Sequence, residues 1–205
     1  TVDATAMNNW EVPDELMREM RSSVVFLGAI LGRTGHAKLT TPGGCEIGLR
    51  PIDLHISAME QLGAVLEEDA GKLDFHAPNG LQGARITLSF PSVGATENIM
   101  IAAATAKGRT VITNAAREPE ISDLADFLNG CGAHIHGAGD STVIIDGVPK
   151  LSGTCHTVIP DRIAASTYLL AGAVTQGKIC VRDIVPAHIG ALLPVLKEAG
   201  CDITA

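Results

Sequence analysis

The sequence predicts an α/β fold built by repeating one unit of about seventy residues around a pseudo-threefold axis. Three observations predict it. First, an amphipathic run ends in glycine and a short apolar stretch three times, at Gly63, Gly132 and Gly200, 69 and 68 residues apart. A glycine so placed reads as the left-handed cap that ends a helix before a strand. Second, each unit opens with a helix rich in small residues (22–31, 94–106 and 162–175), followed by a glycine-led strand (35–40, 108–113 and 177–182). Third, Leu81-Gln82-Gly83-Ala84 and Leu151-Ser152-Gly153-Thr154 lie 70 residues apart and read as matching downstream strands. Each unit reads roughly α-β-α-β-β-β, so successive units run as βαβαββ-type repeats. One unit cannot bury a core alone, so the repeats belong to a single architecture.

The units are not equal copies. From leading glycine to capping glycine, Gly35 to Gly63 is 28 residues, Gly108 to Gly132 is 24 and Gly177 to Gly200 is 23. The surplus of the first unit falls in the loop Pro42-Gly43-Gly44-Cys45-Glu46-Ile47-Gly48-Leu49-Arg50. An elaboration confined to one copy points to function, since packing alone does not require it. The loop sets a thiol among glycines and five residues ahead of a guanidinium. Glycines let backbone move and approach a ligand, and a neighbouring cation lowers a thiol pKa toward the reactive thiolate. The third unit stops five residues after Gly200, and the chain begins at Thr1 rather than Met, so truncation at both ends is expected.

Composition narrows the function classes. The chain has 205 residues, 46% hydrophobic and 3% aromatic, which makes the core aliphatic. A net charge of −8 argues against nucleic acid or a membrane surface as partner, because both demand a basic face. A small anionic substrate needs only a few placed cations. No apolar run is long enough to span a bilayer, and no secretory signal precedes the first helix. Five cysteines without paired spacing fit a reducing cytoplasm, with neither a disulfide framework nor a zinc site. Apart from Cys45 they fall at strand or helix-end positions and read as structural.

Other candidates divide between chemistry and structure. Arg50 and Arg21 offer planar, bidentate recognition of phosphate or carboxylate, against a plain surface role. Asp53 reads equally as a helix N-cap, and His55 either as a proton shuttle or as a buried ring satisfied by backbone. Phe90-Pro91-Ser92-Val93-Gly94 joins strand to helix, with Ser92 as a ligand contact or an N-cap. The entries at Arg21, Ser92-Val93-Gly94 and Asp161-Arg162 are equivalent by repeat. Their helix N-termini are therefore expected to converge on an anion. Glu118 and Glu120 are either paired acids or a helix-start charge pattern.

The runs PGGCEIGLRPIDLHISAMEQLGA, SVGATENIMIAAA, NAAREPEISDLADFLNGCGA and IPDRIAA, in this order, resemble the UDP-N-acetylglucosamine 1-carboxyvinyltransferase (MurA) family of enolpyruvyl transferases over essentially the whole chain. The resemblance implies an inside-out α/β barrel of two domains. Residues 1–159 would form most of the first domain and 160–205 the beginning of the second. It also implies transfer of the enolpyruvyl group of phosphoenolpyruvate to the 3-hydroxyl of UDP-N-acetylglucosamine with release of phosphate. This is the first committed step of peptidoglycan synthesis, and hence serves cell-wall biogenesis, cell shape and cell division. By motif match, Cys45 is the proton-donating or adduct-forming loop cysteine that fosfomycin alkylates. Arg21 and Arg50 grip phosphoenolpyruvate, the UDP moiety meets Arg50, Pro51, Ile52, Asp53, Leu54, Ser92, Val93 and Gly94, and His55 is counted with the substrate-binding residues. Neither metal nor organic cofactor is implied. Phe90 stands where many members have lysine. The family's Lys-Asn pair, general-base aspartate and a further arginine have no counterpart here, so this stretch alone is expected to be inactive. A transferase acting on shikimate phosphate, which lacks the PGGC loop, and a non-catalytic UDP-sugar-binding paralogue are the alternatives.

Overall fold

In the computed structural model the glycines that set the repeat hold left-handed backbone, with φ of 91° at Gly63, 98° at Gly132 and 92° at Gly200. In each case the next residue reaches back over the cap, from Ala64 N to Met59 O, Ala133 N to Leu128 O and Cys201 N to Leu196 O, all at 3.0 Å. These are the same helix-closing bond made three times, and a side chain at the glycine would strain each. Residues 1–43, 51–69 and 71–204 are described. They fall into two compact units, Thr1–His156 and Thr157–Ala205.

In the first unit a short helix α1 (Asp14–Glu19) leads into a 3-10 turn (Arg21–Val25) and α2 (Phe26–Thr34). The remaining elements are β1 (His36–Leu39), α3 (Asp53–Gln61), β2 (Val65–Asp69), β3 (Lys72–His76), β4 (Arg85–Thr87), α4 (Val93–Ala103), β5 (Arg109–Thr113), α5 (Pro119–Gly130), β6 (His134–His136) and β7 (Thr142–Asp146). The strands form two sheets, ordered β1-β3-β2 and β4-β5-β7-β6. In the second, β4 lies parallel to β5 while the other pairings are antiparallel. The first sheet repeats this plan, because Glu11 bridges in parallel to Lys38 of β1 where a fourth strand would stand.

The third strand expected at the end of the first repeat is therefore shared differently. By sequence β4 follows β3, yet by hydrogen bonding it opens the sheet of the next repeat. Leu81–Ala84 and Leu151–Thr154 are not strands, but they keep equivalent bonds, Gln82 N to Leu62 O and Ser152 N to Cys131 O, both 2.8 Å.

The strands alternate buried and less buried residues, as sheets with one solvated face should. The helices of this unit turn an apolar face to one shared core. On α4, Ala95, Thr96, Asn98, Ile99, Met100, Ala102 and Ala103 are all buried, so it is enclosed on most sides. It packs against α2, α3 and α5. The contact with α2 is close because Gly28 and Gly32 face Asn98, Ala102 and Thr105. The helix expected at 94–106 stops at Ala103, and the one expected at 22–31 begins as a 3-10 turn.

The second unit holds α6 (Arg162–Val174), a 3-10 turn (Pro186–Ile189) and α7 (Leu192–Glu198). Asp161 caps α6 by accepting from Ile163 N at 2.8 Å and Ala164 N at 2.9 Å. The strand expected at 177–182 is absent, since no described segment of this unit supplies a ladder partner. The repeat nevertheless persists in the backbone. Asn114 follows β5 at φ 56°, and Asp183, 69 residues later, has the same φ. No described helix is long and apolar enough to cross a membrane.

Candidate functional site

Three helical starts of the first unit meet at one cleft: the 3-10 turn beginning at Arg21, the start of α3 and the start of α4. The cleft encloses about 790 Å³, and its walls include Arg21, Pro51, Asp53, His55, Ser92 and Gly94. Each helix start has a local cause. Ser92 is the N-cap of α4, its Oγ accepting from Ala95 N at 3.3 Å, while Thr96 Oγ1 donates to Ser92 O at 2.8 Å. Thr96 Oγ1 also accepts from Ala116 N at 3.1 Å, tying the segment after β5 to the same turn. Ile52 occupies the cap position of α3, and Asp53 is a first-turn acid, so the alternative of Asp53 as N-cap is not realised.

Two helix starts lining one cleft bring partial positive charge to it, which suits an anion. Arg21 adds a full charge, and its Nη2 donates to Pro51 O at 3.1 Å, pinning the segment ahead of α3. Acids line the cleft as well. Burial, and then the charge of Glu120, pushes the Glu97 carboxyl above its ordinary range. His55 is buried, at 6% exposure, and its ring nitrogen Nδ1 lies 2.9 Å from Asn98 Nδ2. Burial first, and the Arg21 charge second, lower its pKa from 6.5 to about 4, although Asp53 opposes this. The ring is therefore neutral near neutral pH, and the proton-shuttle reading loses its basis.

Of the sequence-derived candidates, Arg21, Pro51, Asp53, Leu54, His55, Ser92 and Gly94 are brought together. Ile52 and Val93 are not. Ile52 is 7% exposed, and Val93 packs against the core, so neither side chain faces the cleft. Cys45 and Arg50 lie outside the described residues. Asp161 and Arg162 belong to the second unit and begin α6 there. Phe90 sits on the cleft wall with 57% of its surface exposed. Glu118 is the residue before α5 and Glu120 lies in its first turn, as the helix-start charge pattern expects, although the Glu118 carboxylate makes no cap bond and accepts from Arg117 N at 2.9 Å. Among the remaining cysteines Cys131 is buried, but Cys155 and Cys180 are exposed on irregular segments, so they do not serve the core.

Asn98 and Glu97 were missed in the sequence. The signal was available for Asn98: it is the polar residue inside the otherwise apolar face of SVGATENIMIAAA. One group of described residues has metal-ligand spacing, His36, Asp74 and His76 on the first sheet, with ligand atoms within 4.8 Å of one another. There Asp74 is already engaged, by the His36 and His76 Nε2 atoms at 2.6 and 3.0 Å and by the Lys38 ammonium at 3.4 Å. Burial works to raise its pKa, and these partners bring it below the ordinary carboxylate value.

Comparison with known proteins agrees with this architecture. The profile of the EPSP synthase (3-phosphoshikimate 1-carboxyvinyltransferase) family matches residues 1–205. The UDP-N-acetylglucosamine 1-carboxyvinyltransferase of Finegoldia magna is 50% identical over 202 residues, 98% of this chain and 48% of that protein. The second enzyme of that name in Staphylococcus saprophyticus is 49% identical over 203 residues, 99% of this chain and 48% of that protein. The chain thus spans about half the length of the curated relatives it matches. Among solved structures, the enolpyruvyl transferase NikO from Streptomyces tendae superposes with a TM-score of 0.71 at 25% identity, over 83% of this chain and 40% of that one. EPSP synthase from Acinetobacter baumannii gives 0.65 at 21% identity, over 89% of this chain and 42% of that one, a likeness of fold. A family profile matched from end to end, relatives at half identity and a shared α/β architecture agree: the chain belongs to the EPSP synthase family of carboxyvinyl (enolpyruvyl) transferases.

Proposed function

We propose that the protein transfers the enolpyruvyl group of phosphoenolpyruvate to the 3-hydroxyl of UDP-N-acetylglucosamine and releases phosphate, in the cytoplasm and as an early step of peptidoglycan synthesis. The observation that carries the reading is the meeting of Arg21, the α3 start and the α4 start at one cleft, in a chain half identical to enzymes of that name. Both substrates are polyanions, which suits a cleft receiving two helix N-termini and a guanidinium.

The chemistry is addition followed by elimination. The sugar hydroxyl gives its proton to a base as its oxygen bonds to C2 of phosphoenolpyruvate and an acid adds a proton to the C3 methylene. The tetrahedral adduct then loses phosphate from C2 and a proton from C3, which restores the double bond as an enol ether. In this reading Arg21 and Arg50 hold phosphoenolpyruvate, and Cys45 supplies the proton to C3. Pro51 to His55 and Ser92 to Gly94 hold the nucleotide, with Ile52 and Val93 contributing backbone only. The reaction draws on no metal or organic cofactor.

Intact protein given both substrates should release phosphate and form the enolpyruvyl sugar nucleotide. With UDP-N-acetylglucosamine present, fosfomycin should add once, at Cys45, as read by peptide mass spectrometry. Adduct at another cysteine, or none, would remove Cys45 from the mechanism. Cys45→Asp should turn over yet resist the drug, because a carboxylic acid can still deliver a proton but is not alkylated.

A further inference from the structure

The Asn98 carboxamide, midway along α4, is fully buried and makes three hydrogen bonds. Its Oδ1 accepts from Gly28 N at 2.7 Å, and its Nδ2 donates to Val24 O at 3.1 Å. The third contact, at 2.9 Å, is between Nδ2 and His55 Nδ1. Gly28 N and Val24 O are four residues apart, the pair a continuous α-helix would join directly. The amide is threaded into that gap, where the 3-10 turn gives way to α2. Its orientation is thereby set. Turned over, it would place NH2 against the Gly28 N–H and its oxygen against the Val24 carbonyl.

With both Nδ2 hydrogens pointing outward as donors, His55 Nδ1 has to be the acceptor. The ring is then neutral and carries its proton on Nε2. The edge bearing Cε1 and Nε2 faces Gly94, lying 3.4 and 3.7 Å from where a Cβ there would stand, and both residues line the cleft. Nε2 has no hydrogen-bond partner among the described residues.

We infer that Asn98 is a positioning residue that holds His55 as a neutral Nε2–H donor to an oxygen acceptor of the sugar nucleotide. This rests on the cleft being the sugar-nucleotide site proposed above. The charged groups acting on His55 are Arg21 from the 3-10 turn and Asp53 from its own helix, while Glu97 of α4 lines the same cleft. Arg21 opposes a second proton on the ring, as burial does, so the donor keeps one state across the working range. A neutral donor also discriminates: an oxygen ligand gains a bond, whereas an ammonium in its place would meet a hydrogen.

The test uses intact protein with nitrogen-15-labelled histidine. Long-range nitrogen–proton correlation should show His55 in the Nε2–H form with no change between about pH 6 and 8. Asn98→Asp, which cannot donate to Nδ1, should shift His55 toward the imidazolium pattern. UDP-N-acetylglucosamine should move the wild-type Nε2 resonance. By calorimetry His55→Gln, whose amide N–H can reach the same place, should bind the sugar nucleotide close to wild type, while His55→Asn should lose about tenfold, the scale of one hydrogen bond. The variants carry their own check for folding, since a merely structural role would leave no difference between Gln and Asn. An Nδ1–H or imidazolium ring in the wild type overturns the inference, as does a ligand that leaves His55 unmoved. Intact protein that fails to bind UDP-N-acetylglucosamine at all overturns instead the proposed function on which it stands.

Discussion

His55 shows how one side chain's surroundings decide its chemistry. Its folded-state pKa of about 4 lies below the ordinary 6.5, so as pH falls the unfolded chain takes up a proton before the folded one. The neutral ring therefore contributes stability in full above about pH 6.5, and that contribution is lost progressively as pH falls toward 4. The whole effect is on the order of 3 kcal/mol. Denaturant melts of His55→Gln should show a shallower loss of stability over this window than wild type, and equal slopes would mean the ring is not held neutral. In the sequence His55 stood among substrate-binding candidates with two readings left open. Its partner Asn98 lies 43 positions away on another helix, a separation that no local pattern spans. Arg21, Asp53 and Ser92 were legible because each sits at a helix start, which sequence marks by a change of composition. Ile52 and Val93 failed as side-chain contacts for the same local reason: apolar residues at a helix start turn inward to the core.

At the scale of elements, the contact between α2 and α4 sets the cleft. Asn98 can reach the helix backbone only because Gly28 has no side chain; a Cβ there would overlap the Asn98 Oδ1 and its carbonyl oxygen. Gly28→Ala should destabilise the protein by about 2–3 kcal/mol, the cost of overpacking a well-packed contact. It should also weaken sugar-nucleotide binding as His55 loses its partner. Urea denaturation together with calorimetry checks this, and a variant as stable as wild type would show that the helices separate freely. The three capping glycines were legible at this scale, since the sequence period and the φ values coincide. The strand at 177–182 was misread because a glycine-led apolar run states a preference, whereas a strand exists only where another strand accepts its hydrogen bonds. Even there Asp183 keeps the left-handed turn that follows β5 at Asn114, so local conformation survives without the ladder.

Over the whole molecule, burial is uneven. The first unit owns the continuous aliphatic core, whereas among the described residues of the second only Ala165, Ile189 and Leu196 are buried apolar side chains, and Ile163, Tyr168 and Val174 are 62%, 62% and 82% exposed. Local opening is easiest where few apolar contacts resist it. In the 205-residue chain, amide hydrogen exchange of α6 should therefore outpace that of α4 by orders of magnitude; comparable protection would contradict this reading of the burial. The repeat and the α/β class were legible from spacing alone, because glycine caps recur at a fixed interval. What spacing could not reveal is which neighbour each strand joins, since pairing is a property of the assembled sheet. That property bears on anyone who would cut the protein. The sequence period invites a break after β4, yet β4 lies beside β5, and the first sheet likewise borrows its outer partner from Glu11, ahead of the repeat. A scissile point chosen by the period would strip one layer of its border strand and leave backbone amides ready to recruit a stranger. Split reporters and module swaps in this scaffold should be joined ahead of Leu81, so that the borrowed strand travels with the sheet it serves.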